Sequence, residues 1–347
     1  MEKAYWKCPN IALPTDALFF ISVLMNVFSL LLNLSVLVLL LLLKGRPLAF
    51  LTQMRTLIGS VFFFMFIRIC DRVIPRRLYP SDPTLASILC HIWTSRYVFF
   101  VTYTFTILVL NFTVGNRAIQ IVCRYQHSFS TSRITNLAYL AGMGLVSVIC
   151  MLPQALIVEW NGKYCRCQDK DLPYGVLVAL YTENFVRFGL TAFISTTILI
   201  VSCYKIIQWV RSTRADQLTD TWNILALPGT TKEQMEAFSR PQGWLTATLC
   251  TVPLSVNFLV IGLYETGYKF ICALGFCTID RNSPLSRAAR FLIDIQLLVL
   301  PTIFIVYIPA LRELSMHGCQ RVVSLGKRLC KRQRETSVGV QQGAQIP

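Results

Sequence analysis

Long uncharged runs, not an amphipathic alternation, dominate this chain. Ala17 to Leu43 carries no charge over 27 positions and closes on Leu37-Val38-Leu39-Leu40-Leu41-Leu42-Leu43. The hydrocarbon core of a bilayer is about 30 Å thick, so about 20 mostly apolar residues in a helix cross it. The pattern predicts spans at 17–43, 47–70, 89–116, 134–158, 175–204, 243–264 and 291–311, seven in all. Arg55 and Arg68 fall near the ends of the second, where long side chains snorkel to headgroups. Glu183 and Arg187 fall in the first half of the fifth, and Asp294 falls in the seventh.

Composition agrees with a membrane protein and removes other classes. Hydrophobic residues make up 54% and charged residues 14%, where an average soluble chain has about 25% charged. The formal charge is +16, yet mean hydropathy is +0.54. That excludes a basic nucleic-acid binder and a disordered chain. Three His and 13 Cys without paired Cys-x-x-Cys spacing leave little for a zinc domain, and no His-Glu-x-x-His, Gly-x-Ser-x-Gly or Walker loop points to catalysis. The reading is an all-α membrane protein: a seven-helix bundle over 17–311, an N-terminal segment 1–16, and a basic tail 312–347. No enzymatic cofactor and no metal is called for.

Segment 1–16 lacks a signal-peptide core, so the first span is expected to stay as an anchor. With the carboxyl end in the cytoplasm, eighteen Lys and Arg lie inside against thirteen outside, the sense of the positive-inside rule. The same orientation puts Cys8, Cys90, Cys165, Cys167, Cys272 and Cys277 on the oxidising side. Cys272 and Cys277 are placed to close a small loop, or one of them to reach Cys8. Cys319 and Cys330 fall in the basic tail as acylation candidates, within interleaved apolar and basic residues that suit a short amphipathic helix on the inner leaflet.

Five motifs stand in order along the first, third, sixth and seventh spans. Asn33-Leu34-Ser35-Val36 is similar to Asn-x-x-Val, and Cys90 stands at the start of the third span. Asn116-Arg117-Ala118 resembles Asp-Arg-Tyr, Cys250-Thr251-Val252-Pro253 resembles Cys-Trp-x-Pro, and Leu300-Pro301-Thr302-Ile303-Phe304 resembles Asn-Pro-x-x-Tyr. In these residues the chain resembles the rhodopsin-like G protein-coupled receptors, and in the wear of each motif their divergent invertebrate orphans, flatworm ones in particular. The Cys90-to-Arg117 separation is two residues longer than in that family.

The resemblance implies a heterotrimeric G protein as inner partner and an extracellular ligand between the outer halves of the helices. It implies a disulfide from Cys90 to the second outer loop, where Cys165 and Cys167 are both available. It makes Arg117, beside Asn116, the centre of the coupling face, with Glu233 or Glu236 standing in for the acid that Asn116 lacks. Pro253 and Pro301 become helix pivots. The sodium pocket of the family is not expected, because span two reads Leu57-Ile58-Gly59-Ser60-Val61 and Leu300 precedes Pro301.

Ionisable residues inside a bilayer mark ligand or ion sites. Arg96 with Tyr97, Glu183, Arg187 and Asp294 therefore form the expected ligand site, with Glu183–Arg187 and Asp294–Arg96 or Asp294–Arg290 bridges as the structural alternative. Arg96 stands where amine receptors carry Asp, which favours a peptide or an anionic ligand over a monoamine. A channel or transporter using the same charges as a permeation path is the competing reading. The Asn-x-Ser/Thr patterns at Asn33 and Asn111 lie inside spans and are not glycosylation sites.

Overall fold

The computed structural model describes residues 17–42, 48–74, 79–122, 133–167, 173–212, 250–277, 283–308, 311–312 and 315–316. These form helices α1 (Ala17–Leu42), α2 (Leu48–Val73), α3 (Pro83–Leu89), α4 (Tyr97–Val122) and α5 (Arg133–Met151). Strands β1 (Val158–Trp160) and β2 (Cys165–Cys167) follow, then α6 (Tyr174–Arg187), α7 (Ser195–Ser212), α8 (Thr251–Asn257), α9 (Leu263–Ala273) and α10 (Pro284–Tyr307). Six helical stretches among them are long and apolar enough to cross a membrane: Ala17–Leu42, Leu51–Asp71, Tyr97–Asn116, Ile134–Ile157, Tyr174–Gln208 and Pro284–Tyr307. The chain is a multi-pass membrane protein of packed helices.

The expected crossing at 243–264 is described only from Cys250. From Thr251 the backbone is helical through α8, a π turn at Phe258–Gly262 and α9. Residues 243–249 of that crossing lie outside the described ones, and among the described residues six stretches have the apolar length to cross. At α10 the helix starts earlier than the hydropathy does. Ser283 caps it by accepting the Ser286 N–H at 3.2 Å, and Pro284 opens its first turn, the usual start signals.

The bundle is ordered around α4. Of its most apolar stretch 61% is buried, against 28% for α1. It packs on α2, α5 and α7, while α1 packs on α2 and α10. Leu57, Val61 and Phe64 of α2, Ile107 and Leu110 of α4, and Leu297, Leu300 and Phe304 of α10 share one core. Lipid is as apolar as leucine, so burial of such residues does not by itself hold the helices together; close packing and polar contacts between them do. α1 shows the consequence. Its buried residues are Ser22, Asn26, Ser29, Asn33, Val36 and Leu40, while Phe20, Leu24, Phe28 and Leu31 are exposed. The helix turns its polar stripe inward, the reverse of a soluble helix.

Among the described residues three π turns widen the helices, at Cys90–Thr94, Phe188–Ile194 and Phe258–Gly262. A π turn takes up an extra residue and re-aims the side chains that follow. Arg55 does not snorkel: its Nε donates to the Leu40 carbonyl at 3.0 Å, one of the carbonyls that the end of α1 leaves without a helical partner.

Candidate functional site

One end of the bundle carries a β hairpin and two disulfides. β1 and β2 pair antiparallel, with Trp160 opposite Cys165. The turn is built by Asn161, whose Oδ1 accepts the N–H groups of Lys163 and Tyr164 at 3.1 and 2.9 Å. Gly162 sits at φ +87°, where a side chain is disfavoured. Cys165 bonds Cys90, and Cys272 bonds Cys277. Of the two partners open to Cys90 the structure uses Cys165. The Cys167 side chain lies outside the described residues, as does Cys8. The Cys90–Cys165 bond packs with Ile157, Val158 and Leu180, and His91 Nδ1 lies 2.8 Å from the Ala155 carbonyl oxygen. Together these tie the hairpin to the heads of α4 and α6.

Between Cys90 and α4 the helix is broken, where the sequence predicts one continuous span from 89. The π turn ends at Thr94, and Arg96 takes φ +66°, a conformation that costs about 1–3 kcal/mol for a residue with a side chain. Ser95 Oγ donates to the His91 carbonyl and accepts the Tyr97 N–H, which fixes the break locally. Arg96 then reaches Asp71 of α2 at 2.6 Å. The wide turn and the left-handed residue both lie inside the Cys90–Arg117 interval. Tyr97 leaves the site: its hydroxyl donates to the Val148 carbonyl of α5 at 2.9 Å.

The four charged residues buried among the described ones are Arg68, Glu183, Arg187 and Asp294, and all four lie at this end. Arg68, expected to snorkel, is 5% exposed and turns inward. Its Nη2 pairs with Asp294 Oδ1 at 2.6 Å and donates to the Arg290 carbonyl at 2.8 Å. Ser22 of α1 donates to the other oxygen of Asp294. Asp294 thus takes its salt bridge from α2, while Arg96 goes to Asp71. Glu183 and Arg187 pair as expected, one turn apart on α6 at 3.4 Å. Gln154 Nε2 donates to Glu183 at 2.6 Å, and Arg187 Nη2 donates to Asn184 Oδ1 at 2.8 Å. Two residues absent from the expected site join it. Phe100 of α4 has the Arg187 guanidinium carbon 5.2 Å and Lys269 Nζ 4.2 Å from its ring centroid.

Two turns along α10 from Asp294 stands Pro301. It has no N–H for the Leu297 carbonyl, which an ordinary helix would satisfy. Two side chains of α1 supply the donors, Ser29 Oγ at 3.0 Å and Asn33 Nδ2 at 3.4 Å. From the other side Asn257 Nδ2 of α8 donates to the Gln296 carbonyl at 3.2 Å. The kink is therefore held by both neighbours, the way membrane helices tolerate proline. Pro253 is the third residue of α8, and the residue four before it lies outside the described ones.

At the opposite end, Asn116 Nδ2 donates to Gln53 Oε1 at 3.4 Å, and Gln53 Nε2 donates to Asn136 Oδ1 at 3.3 Å. All three amides are buried and join α2, α4 and α5. Arg117 is in α4, with its side chain outside the described residues. Glu233, Glu236, Cys319 and Cys330 lie outside them too. Asn33 and Asn111 are buried in helices, the second donating to Ser195 Oγ of α7. Sequence reasoning missed the α1 stripe, the hairpin, Arg68, Asp71, Gln53, Phe100 and Lys269. Two had a readable signal: polar residues at 22, 26, 29 and 33 in an uncharged span, and Asn161-Gly162 between short β-prone runs. Compared with models of known protein families and with curated proteins, the chain matches none of them.

Proposed function

We propose that this protein is a seven-span receptor of the rhodopsin-like kind, amino end outside, in the plasma membrane. It binds an extracellular ligand within the disulfide-bearing half of the bundle and activates a heterotrimeric G protein at the opposite face. The observation that carries the reading is the segregation of charge: every buried charged residue among the described ones lies in the disulfide half, while the far half links its helices through neutral amides. Disulfides persist on the oxidising side, so the charged half faces out. Buried charge near the outside, with uncharged helix contacts toward the inside, suits ligand binding at one end better than a permeation path, which needs polar groups along its whole length. α10 joins the two halves, with Asp294 in the ligand half and the Pro301 kink two turns inward.

The test is G-protein recruitment by the surface-expressed chain, first without ligand and then with peptide and small-anion libraries. Arg117→Ala is expected to lower agonist-driven activation while leaving surface expression intact. Unchanged signalling in that variant argues against the assignment. Ligand-dependent current in oocytes without G-protein coupling would favour a channel.

A further inference from the structure

Where α9 ends, the chain exposes apolar residues at a turn. The run Ile271-Cys272-Ala273-Leu274-Gly275-Phe276-Cys277 contains no charge, and its two cysteines are bonded to each other. Cys272 is buried, whereas Leu274 is 48% and Phe276 80% exposed. The turn of the β hairpin, at the same end of the bundle, is different: it exposes Asn161 and Lys163. An apolar tip is therefore a property of this loop and not of the end as a whole.

The backbone sets the direction of the tip. The Gly275 N–H donates to the Cys272 carbonyl at 3.0 Å, and the Phe276 N–H donates to the Ile271 carbonyl at 3.4 Å. Gly275 stands at φ +88°. These two bonds around a left-handed glycine are the Schellman ending of a helix, which commonly brings its last residue against an apolar one a turn earlier. The chain is reversed, so Phe276 comes back beside Ile271 instead of running on away from the helix. Ile271 is exposed, and so are Val256 and Val260 earlier in the same helical run. That run packs elsewhere on α10, on α6 and on the π turn after Arg187, with Phe270 stacked on Phe188 at 3.8 Å. In a multi-pass membrane protein the apolar residues left outside such packing face lipid. The turn carries this lipid-facing stripe two residues past the last helical residue, and the disulfide closes the loop behind it.

We propose that Leu274 and Phe276 form a membrane anchor. Held by the Cys272–Cys277 loop, they bed at the boundary between headgroups and acyl chains, in the leaflet on the disulfide side, and fix the end of α9 there. Apolar side chains gain by leaving water at that depth, and a loop already closed by a covalent bond loses little freedom in doing so. The inference needs only a multi-pass membrane protein, so it stands or falls apart from the receptor reading.

The experiment uses the purified full chain in phosphatidylcholine nanodiscs, with Phe276→4-trifluoromethylphenylalanine as a single fluorine reporter. Its fluorine resonance is expected to broaden strongly when the discs contain phosphatidylcholine spin-labelled near the top of the acyl chain, and weakly with a water-soluble gadolinium chelate. The reverse order places the tip in water and overturns the proposal. A resonance spared by both agents also overturns it, because the tip is then covered by protein, either another part of this chain or a second copy. Phe276→Ser is expected to speed amide exchange at 270–274 in the discs by about three- to ten-fold, the worth of half-burying one phenylalanine, through easier local opening of the helix end. Unchanged exchange there would show that the tip fixes nothing, and would overturn the anchor. Should Phe276→Ser fail to fold, the fluorine measurement decides by itself.

Discussion

Replacing Arg68 by methionine removes a buried cation while keeping an unbranched chain of similar length. In the wild type the guanidinium meets Asp294 at 2.6 Å and the Arg290 carbonyl at 2.8 Å, with the two side chains 5% and 0% exposed. Removing one partner of such a pair destabilises by about 3–5 kcal/mol, because the other charge stays buried without it. Ser22 still donates to Asp294, which places Arg68→Met toward the lower end. At about 2 °C per kcal/mol for a large chain, the unfolding temperature in nanodiscs should fall by about 6 °C or more. The double variant Arg68→Met with Asp294→Leu removes both charges and should recover most of that loss, since apolar replacement of a whole buried pair is commonly neutral or stabilising. A thermal-unfolding cycle of wild type, both singles and the double reads the coupling directly. A single variant within about 1 °C of wild type would refute the idea that Arg68 is held inside. A double variant no better than Arg68→Met would refute the pairing.

Two further outcomes follow from the geometry. Cys90→Ser opens a link between residues 75 positions apart, a loop whose closure is worth about 4 kcal/mol by chain entropy, so surface yield and unfolding temperature should drop sharply; Cys167→Ser should not reproduce the loss of the Cys90 link, and identical behaviour in non-reducing gels and unfolding scans would refute the pairing with Cys165. Replacing both Ser29 and Asn33 by alanine withdraws both α1 donors from the Leu297 carbonyl and should destabilise by about 1–3 kcal/mol, with faster amide exchange in α10 between Leu297 and Phe304; unchanged exchange there would show that the kink does not depend on α1.

The crossings were legible because a bilayer asks only for length and apolarity, and Ala17–Leu42 or Ile134–Ile157 supply both. The Glu183–Arg187 pair was legible because one helical turn separates the two residues. What the sequence concealed are contacts made across helices. Arg68 reads as a residue near the end of a span until Asp294 and the Arg290 carbonyl are seen beside it. Phe100 and Lys269 are far apart in the chain and carry no motif, so only the folded bundle brings them together. The break at Arg96 was hidden for a different reason: the composition around it stays apolar, and a left-handed residue is a backbone state that hydropathy does not report.

These contacts give α10 a particular position. Its part nearer the disulfides is held by Arg68 and Ser22 through Asp294, and its middle is held by Ser29, Asn33 and Asn257 through the consecutive carbonyls of Gln296 and Leu297, one turn before Pro301. Side chains of α1 make contacts at both levels, so α1 and α10 are tied as a pair, whereas Arg68 and Asn257 each tie α10 to a different neighbour. A kink whose freed carbonyl is already satisfied does not bend further without breaking a hydrogen bond. Motion at Pro301 is therefore expected to carry α1 with it and to break the Asn257 or Arg68 contact first. If the proposed receptor reading holds, the signal between the two ends of the bundle passes at those two contacts, because they are where α10 meets helices outside the α1–α10 pair.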